Sequence, residues 1–350
     1  MRKLFSCNSK NNRNPGYKPT VIFPCIKHSS AGMKTSRLAQ NLQTGMLFLA
    51  LVVSQFAGQP TESSSGKESQ QMITAGDSQI FFNVEDGPLA VSKADLAVYV
   101  RDAAKAVTAY YGTFPIHKTV INFVPSDDDG IGFGTSTYDD DEDYGVVTIN
   151  IGENTTRRNL RSSWTLTHEL MHLAFPVVSH HKRWLSEGIA TYVEPIGRMR
   201  IGSLSPEEVW GDLLTNLPKG LPRQGEGGLR SARNFDRIYW GGALYCLLAD
   251  VEIRQRTNNR VGLEDALRSI AKQGGTAASN WDAEEAVQAG DKGLGISVLQ
   301  PLYTKMGEQP VSIDVPAYLR KLGVVKSGET VALDDRAPLA AIRRAIDGTE

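Results

Sequence analysis

Residues 165–175 read TLTHELMHLAF, and they place two imidazoles and a carboxylate in a run that should be a buried helix. Leu166, Leu170 and Leu173 recur at the spacing of an apolar helix stripe, while His168, Glu169 and His172 interrupt it. Burying a carboxylate and two imidazoles is costly unless something pairs with them. Positions i and i+4 of a helix share a face, so His168 and His172 aim at one point, as two ligands of one metal ion must. Glu169 sits beside the first ligand and is free to take a proton from a water there. The spacing is the H-E-x-x-H pattern.

A third ligand separates a metal centre from a coincidence. Downstream, RWLSEGIATYVEP puts Glu187 on a second helix, with 14 residues between it and His172. That gap allows a loop that returns the chain antiparallel, with Trp184, Leu185, Ile189, Tyr192 and Val193 as the buried face of the new helix. Two histidines and one carboxylate, with a fourth position left open, are the donor set of a catalytic zinc site holding one Zn2+ per chain. The other histidines read as bystanders: His180 and His181 in the connecting loop, His117 at the start of a strand, and His28 in the leader. Cys246 lies in an apolar helical run and reads as a buried structural thiol. The acidic DDDEDY at 139–144 lacks the ordered ligand spacing of a calcium loop and reads as a solvated turn.

THELMH with WLSEGIATY resembles the gluzincin metallopeptidases, the clan of thermolysin and aminopeptidase N. YWGGALYCLLADVEIRQRTNNRVGLEDALRSI, LRKLGV and LDDRAPLAAIRRAI further along are most similar to the glycyl aminopeptidase family. The resemblance runs from roughly residue 80 to the C-terminus and is strongest at the two metal helices. It implies a thermolysin-like catalytic domain and a catalytic Tyr239 whose hydroxyl stabilises the developing oxyanion. Three positions depart from the family pattern. Gly241 stands where a lysine is usual. Thr191 stands where an aspartate often orients a zinc histidine, with Glu194 one turn away as a substitute. The expected substrate-edge strand, GIGFGTSTY at 130–138, carries no glutamate to bind a free α-amine. The last departure favours an endopeptidase over an aminopeptidase.

The elements that must position these residues follow the order of strands first and helices later, which predicts an α+β fold. Strands are expected at 72–84, 118–126, 130–138 and 144–152, with a helix capped by Ser92 and ended by Gly112 between the first two. Helices are expected at 158–174, at 183–194 stopped by Pro195, and at 206–216, 236–256, 262–273, 282–290 and 296–306, with one more closing the chain. The organisation is then a leader and signal or anchor segment at 1–58, a polar linker at 59–71, a mixed-sheet lobe at 72–175 ending in the metal helix, a helical lobe at 176–309, and a C-terminal tail at 310–350 packed on the catalytic domain.

The N-terminal segment predicts export. A basic stretch from Met33 precedes an apolar run from Met46 to Ala57, short for a membrane span but suited to a signal h-region. The pattern points to Met33 as the start and to a periplasmic or secreted protein, membrane-anchored only if the segment stays uncleaved. A single cysteine after that run leaves no internal disulfide framework. With 22% charged residues and a net charge of −1, the chain has no basic excess that would recruit nucleic acid. The expected partner is a peptide or protein substrate. Two rivals remain: a catalytically silent, zinc-stabilised binding module of the same fold, and a surface-anchored structural protein with an accidental motif.

Overall fold

The computed structural model describes residues 71–349. Its N-terminal part is a five-stranded mixed sheet in the order β1-β2-β3-β5-β4, built from β1 (Gln71–Ala75), β2 (Ser78–Val84), β3 (Lys118–Ser126), β4 (Ile131–Asp139) and β5 (Tyr144–Gly152). The three central strands run parallel to one another, and β4 closes one edge antiparallel to β5. Alternation sets the buried face: Ile121 and Phe123 of β3 and Val147, Ile149 and Ile151 of β5 are fully buried. Helix α1 (Lys93–Tyr111) packs among this core, with Leu96, Val100, Ala103 and Val107 buried. Ser92 and Asp95 form the reciprocal capping box at its start, and Gly112, at φ 82°, ends it.

The expected strand over 72–84 is a hairpin. Gly76 adopts φ 61°, a conformation that carries little penalty only for glycine, and turns β1 back on β2.

The expected helix over 158–174 is two helices, α2 (Arg157–Ser162) and α3 (Thr165–His172). Ser163 leaves the helical region at ψ 135°, and its Oγ accepts from the Thr165 amide at 3.2 Å. The Tyr99 hydroxyl accepts from the Leu166 amide at 3.2 Å. Side-chain acceptors thus take the free amides at the start of the metal helix, so it begins afresh instead of continuing α2.

The helical part follows as α4 (Arg183–Arg200), α5 (Pro206–Asn216), α6 (Phe235–Thr257), α7 (Leu263–Lys272), α8 (Ala283–Leu294) and α9 (Leu299–Glu308). Pro195 does not stop α4. An interior proline removes one backbone hydrogen bond and costs about 3 kcal/mol. The turn beyond it is held by burial of Ile196 and Met199, by close packing of Gly197 on the Ala106 carbonyl of α1, and by the Glu194–Arg198 ion pair at 2.9 Å.

The C-terminal segment holds α10 (Val315–Lys321), then a hairpin of β6 (Val324–Ser327) and β7 (Thr330–Leu333) that the sequence reading missed, then α11 (Ala340–Asp347). The hairpin turns at Gly328, φ 60°. The whole is an α+β fold, an N-terminal sheet followed by a helical C-terminal part, as the order of elements predicted. Among the described residues no helix is long and apolar enough to cross a membrane. The leader, the apolar run and nearly all of the linker lie outside the described residues.

Candidate metal centre

Helix α3 carries His168 and His172 one turn apart, with ring centroids 4.8 Å apart and planes at 84°. His168 is buried, and the edge of Trp164 packs against its ring at 4.9 Å. Helix α4 brings Glu187 to the same place: its Oε2 lies 3.4 Å from His168 Nε2 and 3.4 Å from His172 Nε2.

Two features place Glu187 there. In the loop before α4, the Val177 amide donates to Ser279 O at 2.8 Å, and Lys182 pairs with Asp282 at 2.8 Å and with Glu284 at 2.5 Å. Further along, α4 crosses α6 backbone to backbone. A Cβ on Gly188 would lie 2.3 Å from Gly242 Cα, and one on Gly242 would lie 2.1 Å from Trp184 O. Both positions must be glycine for the helices to approach so closely.

The donor set fits a zinc ion. The three ligand atoms lie within 4.8 Å of one another, and all are nitrogen or carboxylate oxygen. Their mutual electrostatics point the same way. Burial opposes ionisation of Glu187, but hydrogen bonds and charge from His168 and His172 more than offset it and hold the carboxyl well below its usual range. Burial disfavours the charged His172, while Glu187 and the charge of Glu169 outweigh it and push its pKa up. The two imidazoles thus give Glu187 part of the positive counter-charge that a bound cation would supply.

Glu169 is 9% exposed and does not join the ligand cluster. Its Oε2 accepts a hydrogen bond from Ser136 Oγ of the edge strand β4 at 2.9 Å. Gly134 makes that approach physically attainable: a Cβ there would lie 2.7 Å from Glu169 Cγ and 2.9 Å from Thr165 Cγ2. Neither residue was singled out from the sequence. The only signal was the small-residue character of GIGFGTSTY.

Tyr239, near the start of α6, lies over the cluster. Its ring stacks on Phe235 at 4.0 Å and is nearly parallel to His168 at 6.0 Å. Burial, the charge of Glu187 and a hydrogen bond to Glu187 all push its hydroxyl far above the usual phenol range, so it stays protonated and available as a donor.

The departures from the family pattern acquire a physical setting. Gly241 packs against Gly220 O and Leu229 Cδ2, at 3.2 and 2.5 Å from an added Cβ, so a longer side chain there requires Leu229 to shift. Thr191 Oγ1 is buried without a partner. Glu194 is buried within electrostatic reach of His168, and its Oε1 accepts from Arg198, which also donates to the Arg161 carbonyl at 2.8 Å. His180, His181 and His117 are exposed and stay outside the cluster, and Cys246 is fully buried.

No protein-family model and no curated protein sequence matches the chain. Solved structures do. An aminopeptidase N family protein from Idiomarina loihiensis matches with a TM-score of 0.54 at 12% identity, over 73% of this chain and 49% of that one. An M1 zinc metallopeptidase from Deinococcus radiodurans matches with a TM-score of 0.46 at 18% identity, over 70% of this chain and 52% of that one. The chain spans about half the length of the solved structures it matches. The likeness is one of fold: the N-terminal sheet and helical C-terminal part follow the arrangement of the aminopeptidase N family protein.

Proposed function

We propose that the protein is a zinc-dependent peptidase of the gluzincin type, with affinity to the glycyl aminopeptidases, and that it cleaves within peptides in preference to removing N-terminal residues. The observation that carries the peptidase reading is the convergence of His168, His172 and Glu187 with Glu169 held apart from them by Ser136. A silent, zinc-stabilised module would need the first three alone. Zinc held by His168, His172 and Glu187 would supply Lewis-acid polarisation of the scissile carbonyl and of a water.

The chain's own groups do the rest. Glu169 accepts a proton from the attacking water and delivers it to the leaving amine nitrogen. Tyr239 donates to the oxygen that gains charge. The free edge of β4 offers backbone groups to an extended substrate, which would lie across Ser136 and Gly134.

The preference for internal cleavage rests on the lack, among the described residues, of a spare buried carboxylate on β4. A buried α-ammonium needs one to offset its desolvation. Asp139 accepts from the amides of Asp141 and Glu142, and Asp143 accepts from Tyr138 Oη at 2.5 Å, so both are engaged in the turn. Asp127, Asp128 and Asp129 are exposed, and Glu194 is taken by Arg198. The signal-like leader supports action outside the cytoplasm on peptide or protein substrates.

Matched peptides with free and acetylated N-termini test the reading, with and without chelator. Turnover should vanish with chelator and be nearly indifferent to acetylation. A hundredfold loss on acetylation would make this an aminopeptidase.

A further inference from the structure

Between the start of α4 and the segment leading into α6 lies a cavity of about 140 Å³ whose wall carries two arginines. His180 and His181 line it from the segment before α4, Arg183 from the first residue of α4 and Arg233 from the segment before α6, together with the apolar Trp184 and Leu229. Among the described residues no carboxylate lines it. Arg183 stands one turn before Glu187 on α4, and Ile238 directly precedes Tyr239 on α6, so the cavity is lined from the same two helices that carry Glu187 and Tyr239. Its charge reaches Tyr239.

The cationic residues around this cavity divide into two groups. Lys182 is neutralised by Asp282 and Glu284, Arg230 by Glu284 and Glu308, and Arg237 by Glu226. These have structural partners, and none of them lines the cavity. Among the described residues Arg183 forms no ion pair, and Arg233 donates only to the carbonyls of Arg230 and Ala232. Asp236 lies in the first turn of α6 without lining the cavity. Two guanidinium groups without carboxylate partners beside apolar side chains have the chemistry to hold a planar anion.

We propose that this cavity is a substrate subsite for a carboxylate, either an acidic side chain near the scissile bond or the peptide's own C-terminal carboxylate. The inference rests on the peptidase reading for its meaning, but binding tests it without turnover. A carboxylate held by Arg183 and Arg233 would set where the chain lies over Glu169, and so which bond is cut.

The test uses the full chain with zinc and Glu169→Gln, so that nothing is hydrolysed. An alanine-rich hexapeptide is presented with a free C-terminal carboxylate, with a C-terminal amide, and as the amide with one glutamate moved through its positions. Binding is followed by fluorescence anisotropy. At least one carboxylate form should bind about tenfold or more tighter than the neutral amide, the range of a charge-assisted hydrogen bond. The form that does so identifies the source of the anion. Arg183→Gln and Arg233→Gln, added separately, should each bring that ratio towards one. Equal binding of all forms, no binding of any carboxylate form, or a preference that survives both substitutions would overturn the proposal. Cleavage of the same peptides by the parent chain is scored separately and decides the peptidase reading alone.

Discussion

Ser136 on the edge strand donates to Glu169 on the metal helix at 2.9 Å, joining the strand over which a substrate would lie to the group that would move its proton. Ser136→Ala removes one hydrogen bond and leaves the ligands untouched. The rate constant kcat should fall about two- to tenfold, the equivalent of one net hydrogen bond, at unchanged zinc content. An unaltered kcat would mean that Glu169 is oriented by packing alone.

Gly134→Ala should act through the same contact but more severely. Its Cβ would press on Glu169 Cγ and Thr165 Cγ2. We expect a loss of about 1–3 kcal/mol in stability, the usual cost of overpacking, and a larger loss of activity than Ser136→Ala causes. Thermal melts and single-turnover rates on the two variants check the order.

Metal and chemistry should separate by mutation. Glu169→Gln should keep about one zinc per chain and lose most activity, since it removes the base and spares the ligands. His168→Ala, His172→Ala or Glu187→Ala should lose zinc and some stability with it. Zinc analysis beside a peptide-cleavage assay reads both, and Glu169→Gln cleaving as fast as the parent would sink the mechanism.

Tyr239→Phe should lower kcat by about 10²–10³, the scale of one lost oxyanion donor. Phe235 and His168 continue to pack on the ring, so the melt should hardly move. Retained activity would return Tyr239 to a packing role.

Stability should respond to Asp347, buried at the end of α11. Burial pushes its carboxyl up to about 6 in spite of the Trp210 Nε1 hydrogen bond at 2.7 Å and the nearby Arg343. A folded value above the unfolded one means that the folded state holds the proton more tightly. Its stabilising effect is present below the ordinary aspartate range and is lost as pH rises through about 6. Asp347→Asn keeps the acceptor for Trp210 and removes the charge. The variant should therefore be the more stable by about 1–3 kcal/mol near pH 7, with the difference shrinking towards pH 4. Urea melts across that range check it; a variant less stable at pH 7 would show that the Arg343 pairing dominates.

The amino-acid sequence by itself determined the pieces of the centre that depend on local periodicity. His168 and His172 share a face because any helix through them makes it so, and the α+β order follows from runs of alternating and then helical pattern. The buried face of α4 was readable for the same reason, and with it the side from which Glu187 projects. Only tertiary structure decided what meets those faces. Ser136 and Gly134 reach Glu169 because β4 pairs with β5 at the sheet edge, a contact 33 residues apart that no local pattern encodes. Pro195 reads as a stop in isolation, but packing against α1 and the Glu194–Arg198 pair carry α4 through it. The cationic cavity is assembled from segments near 180, 230 and 238, and which arginines stay free there depends on which ones acidic side chains reach first. Local spacing sets the direction of a side chain along its own element, whereas its partner is chosen by the long-range burial that brings separate elements together.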